Sequence, residues 1–106
     1  MTSEHLTAIL VERVMGWSVA PDRFLMGNRR WIPRWRFRPE QNLSDAFQLL
    51  DAARPAHYAM GSDVPGEFWA RVGIGNAMGE ARHSSRAQAI SLAVAAALGI
   101  DIGANG

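Results

Sequence analysis

Apolar positions recur along this chain with two different spacings, and the changes between them mark out helices and strands. From Ser3 to about Met15, Leu6, Ile9, Leu10, Val14 and the following Trp17 trace one stripe, while Glu4, Thr7, Glu12 and Arg13 mostly point away. That is the spacing of an amphipathic helix. Gly16 supplies its stop, since glycine enters the left-handed conformation without a Cβ penalty. Pro21-Asp22 marks a turn. Two short strands are expected next, about Arg23 to Met26 and Trp31 to Phe37, joined across Gly27-Asn28. Pro33 has no N–H to give a ladder, so the second strand is an edge strand or begins after it.

A second helix opens at Asn42, a capping residue, with Asp45 in its first turn, where a negative charge suits the helix dipole. Leu43, Ala46, Phe47, Leu50 and Ala53 form its expected inner face, and Pro55 closes it. His57 to Gly61 follow, then a turn at Asp63-Val64-Pro65-Gly66 and a strong strand from Glu67 to Ile74. In that strand Phe68, Ala70, Val72 and Ile74 point one way, and Trp69 and Arg71 the other. Gly75-Asn76 reads as a hairpin turn into a last strand around Met78 to His83. Ser85 and Gln88 form a Ser-x-x-Gln capping box for a final helix, with Ala87, Ile90, Val94 and Leu98 on one face. The predicted order is α-β-β-α-β-β-β-α. It describes a single-domain α+β sandwich over residues 1–99, an antiparallel sheet flanked by helices. Residues 100–106 are expected to form a loose C-terminal tail.

Composition narrows the chemistry. The 106 residues hold no cysteine, which removes disulfides, thiolate metal sites and cysteine nucleophiles. His5, His57 and His83 have no ligand spacing between them, so no metal site is expected. Ser84 and Ser85 serve as caps, and no Ser-His-Asp arrangement follows from spacing. Glu67 and Glu80 fit better as arginine partners than as an acid/base pair. Gly73-Ile74-Gly75-Asn76-Ala77-Met78-Gly79 resembles a dinucleotide loop, but it lies between strands and opens no helix. No catalytic residue and no cofactor are therefore expected. The longest apolar run, Ala93 to Leu98, is far below the roughly 20 residues of a membrane span. The start carries no positive n-region, and a cytoplasmic location in a bacterial host is expected.

Every basic residue is arginine, and five of the eleven fall between Arg29 and Arg38, together with Trp31 and Trp35. Read with a period of two, Trp31, Pro33, Trp35 and Phe37 lie on one side of a strand, turned to the core. Arg30, Ile32, Arg34, Arg36 and Arg38 lie on the other. The arginine row is a candidate partner-binding face, joined by Trp69 and Arg71 if no helix covers their side of the sheet. The partner is expected to be a host or phage protein, or a second copy of the chain. Nucleic acid is the alternative; it requires aromatics and cations exposed on the same face. The formal net charge of +1 means that such binding would have to come from local clustering.

Three segments in this order carry a family resemblance: Leu10-Val11-Glu12-Arg13-Val14-Met15-Gly16-Trp17, Arg38-Pro39-Glu40-Gln41-Asn42-Leu43-Ser44-Asp45-Ala46-Phe47 and Glu80-Ala81-Arg82-His83-Ser84-Ser85-Arg86-Ala87-Gln88-Ala89-Ile90. Together they resemble the small phage and prophage proteins of the phage ABA sandwich domain. The likeness spans about Leu6 to Leu98. It departs at Phe47, where tryptophan is frequent, and at Ser84-Ser85, where proline often opens the last helix. The resemblance implies the fold and a phage or prophage origin, and brings no catalytic residues with it. The expected role is that of an accessory binding protein rather than an enzyme.

Overall fold

The computed structural model describes residues 3–100, with side chains from His5 onward. The chain begins with α1 (Ser3–Leu10), which runs into a π-helical turn at Val11–Met15. Gly16 ends it at φ 71°, in the left-handed stop expected of it. Three short strands follow, β1 (Ser18–Val19), β2 (Arg23–Gly27) and β3 (Arg30–Pro33), then a 3₁₀ turn at Arg34–Arg36. Helix α2 (Leu43–Ala53) leads to β4 (His57–Val64), β5 (Glu67–Ile74), β6 (Ala77–His83) and α3 (Arg86–Ala97). The strands form two antiparallel three-stranded sheets, β1-β2-β3 and β4-β5-β6. The α+β order read from the sequence holds, with the two-residue β1 added. No helix among the described residues is long and apolar enough to cross a membrane.

Packing runs through the helices from one sheet to the other. Helix α3 lies on β5 and β6 and against α2; α2 meets the π turn, and the π turn meets β1. Buried Ala87, Ala89, Ala93, Val94 and Ala97 place α3 at the centre, apolar on nearly every side. At Gly79 a Cβ would fall on the Ala93 carbonyl and the Ala97 amide nitrogen, so helix backbone rests directly on β6. Small residues on both partners permit that approach.

Both helix starts are capped. Asn42 Oδ1 accepts the Asp45 amide (3.0 Å), and Ser85 Oγ accepts the Gln88 amide (3.2 Å). The box at Ser85 is only half formed. The Gln88 side chain reaches Glu40 instead, and the Ser85 amide donates to His83 Nδ1. In α2 the buried stripe is Ala46, Leu49 and Leu50, while Leu43 and Phe47 stay exposed beside a groove. Ile100 packs on the core and its amide bonds Ala95, so the domain extends one residue past Gly99. The rest of the expected tail, 101–106, lies outside the described residues.

Candidate functional site

The Arg29–Arg38 segment departs most from its sequence reading, and the reason is local. Phe24 of β2 is buried and faces Ile32, while Leu25 faces Trp31 on the outer side. That register puts Ile32 inward and Trp31 outward, opposite to the expected parity; a shift of one residue exchanges the two faces of a strand. The strand then stops at Pro33. Arg34 to Arg36 form a 3₁₀ turn, in which residues three apart eclipse one another. Arg34 and Phe37 therefore share a side, and both lie against Phe24, at 5.5 and 6.5 Å. Phe37 is 2% exposed, as expected, whereas Trp31 is 51% and Trp35 64% exposed. The burial expected for both tryptophans is overturned, and so is the continuous arginine row.

The result is two exposed cation–aromatic pairs, Trp31 on the outer side of the hairpin and Trp35 beside the cavity on the Phe24 side. The Arg23 guanidinium lies 4.3 Å from the Trp31 ring, and Arg36 lies 5.9 Å from the Trp35 ring. Such pairs hold each other at the surface by the attraction between cation and ring face. Arg23 also binds Asp22, and its hydrogen bond holds the Asp22 carboxyl below the usual carboxylate range. Arg29, Arg30, Arg34 and Arg36 make no ion pair among the described residues. Arg38 bonds Gln41 through its side chain, and its amide donates to Asp45. Residues 18–38 hold six arginines against one aspartate, a net +5. The rest of the chain holds five arginines against nine carboxylates, a net −4. This division of charge is readable from the sequence; what conceals it is the near-neutral total.

The tip of the β2–β3 hairpin carries strain. Asn28 and Arg29 both have positive φ, 54° and 62°, as the two central residues of a type I′ turn require. Asparagine tolerates that conformation and arginine does not favour it. The turn therefore displays an arginine where glycine would be easier.

Beside Trp35 lies a polar cavity of about 280 Å³, lined by Thr7, Phe24, Arg34, Trp35, Arg38 and Glu40. Glu40 is 3% exposed. Its Oε1 accepts from Thr7 Oγ1 (2.9 Å) and its Oε2 from Gln88 Nε2 (3.1 Å). Buried Ser91 donates to the adjacent Pro39 carbonyl (2.9 Å). Helices α1 and α3 thus hold this segment from both sides, which no local pattern announces.

Trp69 and Arg71 do not join this surface. They lie on the outer face of β4-β5-β6, which none of the described helices covers: Ala59, Arg71, Met78, Glu80 and Arg82 are all exposed there. Arg71 is bound to Glu80 (3.1 Å) and Arg82 lies near Asp63 and Glu67, so the charges of this face are largely paired. Glu67 and Glu80 act as arginine partners, as expected. Trp69 lies over Gly61, half-buried. His57 and His83 stand on β4 and β6, separated by β5, and do not meet. Gly73 to Gly79 form a β5–β6 hairpin, with Gly75 at φ 59° in its two-residue turn. A second, apolar groove of about 410 Å³ opens between α2, α3 and β5, walled by Leu43, Phe47, Phe68 and Ile90 with Arg86 alongside.

No family model matches the sequence, and no curated protein matches it. Among solved structures, a phage protein from Bacillus cereus ATCC 14579 is similar, with a TM-score of 0.76 at 14% identity. The alignment covers 96% of this chain and 92% of that one, so the two share a fold along nearly their whole length.

Proposed function

We propose that this chain is a phage-derived module that binds single-stranded nucleic acid through the β2–β3 hairpin and the 3₁₀ turn, acting by binding and not by catalysis. Its fold likeness to a phage protein supports the origin, as does the resemblance to the phage ABA sandwich domain. The observation that carries the binding assignment is the exposure of both Trp31 and Trp35 in a segment whose Arg29, Arg30, Arg34 and Arg36 make no ion pair among the described residues. Unstacked bases lie on aromatic rings, and guanidinium groups hold the phosphates between them. Duplex DNA hides its base faces, so this geometry suits a single strand.

The test is quenching of tryptophan fluorescence by a short thymidine oligomer over a range of salt concentrations. Binding should weaken steeply with salt, because phosphate contacts release condensed counterions. Reversing the charge at exposed Arg30 and Arg36 should abolish it and leave the fold intact. No quenching at low salt, or quenching that salt does not change, would refute the proposal.

A protein partner, from host or phage or a second copy of the chain, is the second reading. Exposed Leu43 and Phe47 beside the apolar groove favour it. Capture of a protein by the nuclease-treated chain, lost on Leu43→Asp, would support it. A strictly monomeric chain that captures nothing argues against it.

A further inference from the structure

We infer that the cavity beside Trp35 receives one unstacked base of the bound strand and selects guanine. This rests on the nucleic-acid reading and names what the same surface recognises. At about 280 Å³ the space is at the low end for ligand pockets, enough for one planar group. Trp35 offers that group a stacking face at the rim. Arg34 and Arg38 line the same cavity, placed to take the phosphates on either side of the base.

Glu40 supplies the selectivity. A buried carboxylate keeps about four acceptor positions, two on each oxygen. Thr7 occupies one on Oε1 and Gln88 one on Oε2, which leaves an acceptor on each oxygen. Among the described residues Glu40 forms no salt bridge, and a pair of adjacent donors on a ligand would complete its shell. Guanine carries two adjacent donors, N1–H and N2–H, on one edge. Adenine and cytosine place a donor beside an acceptor, and thymine places one donor between two acceptors. Each of these would set a lone pair against a carboxylate oxygen. The anchoring of Glu40 by α1 and α3, with Ser91 holding Pro39, keeps the acceptor pair fixed in the cavity, as discrimination between bases requires.

The experiment measures affinity for a short thymidine tract carrying one central guanine, inosine, adenine or cytosine, by tryptophan quenching. Guanine should bind at least about tenfold tighter than adenine, cytosine or the plain tract, the effect of one or two hydrogen bonds to a carboxylate. Inosine lacks the N2 amine and should lose about tenfold, a comparison that alters the ligand alone and needs no variant. Glu40→Gln should erase the guanine preference, so that the guanine and adenine tracts bind alike. Equal affinity for all the tracts would overturn the base pocket and leave strand binding standing. Failure of every tract to bind at low salt would remove strand binding itself, and the pocket with it. Free guanosine monophosphate binding as tightly as the guanine tract would overturn the assignment to a strand, because the arginine and Trp31 contacts would then add nothing.

Discussion

Replacing Arg29 by glycine should make the protein more stable and a weaker binder of nucleic acid. Arg29 sits at φ 62°, where a side chain with a Cβ meets the carbonyl oxygen that follows it. That clash costs roughly 1–2 kcal/mol. Glycine relieves it, but a more flexible unfolded chain takes back about 0.5–1 kcal/mol. The net gain is then about 0.5–1 kcal/mol, or about 3–6 °C in Tm for a domain of this size. Arg29 makes no ion pair among the described residues, so nothing offsets that gain. On the binding side the substitution removes one cation from the hairpin tip, and the salt dependence should fall by about 0.7 of a counterion for a single strand. Thermal unfolding and a salt titration of oligomer binding measure the two effects on the same sample. A lowered or unchanged Tm would refute the strain argument. A higher Tm with unchanged affinity and slope would show that the tip lies outside the binding surface.

Trp35→Ala should change stability by less than about 0.5 kcal/mol, since the ring is mostly in solvent. It should weaken oligomer binding by about 1–3 kcal/mol, read from the quenching of Trp31. Gly79→Ala should cost about 3 kcal/mol in denaturant unfolding, because the new methyl meets α3 backbone that no side-chain rotation can clear. An unchanged midpoint would mean that α3 does not rest on β6 at Gly79. Ser85→Ala should cost about 1 kcal/mol through the lost cap, seen in the same experiment. Gln88→Ala takes a donor from buried Glu40 and should cost about 1–3 kcal/mol; a smaller loss would show that Glu40 finds another donor.

Where a segment's conformation depends on its neighbours in the chain, the sequence reading and the structure agree. Gly16, Asn42, Ser85 and Gly75 act at helix ends and in a hairpin through contacts within a few residues. The alternation of β5 is likewise as read, with Ala70 and Val72 buried and Arg71 exposed, because α3 covers one face of the sheet. The misreadings fall where a pattern of the right period has no local rule for its phase. In β3 the alternation is real, but only pairing with Phe24 decides that Ile32 goes inward and Trp31 outward. After Pro33 the period changes from two to three, which brings Phe37 in and puts Trp35 out.

The candidate site divides along the same line. By itself the sequence determined that arginine and tryptophan concentrate between Arg23 and Arg38, that charge is unevenly divided, and that thiol chemistry is absent. Those are properties of composition along the chain and require no fold. Tertiary structure alone decided that both tryptophans are exposed, and that Trp69 and Arg71 lie on another surface with the Arg71 charge paired. It also decided that Glu40 is buried beside them, held by Thr7 from α1 and Gln88 from α3, which stand 33 and 48 residues away in sequence. A carboxylate stays buried only where distant donors converge on it, and such convergence leaves no mark in the residues next to it.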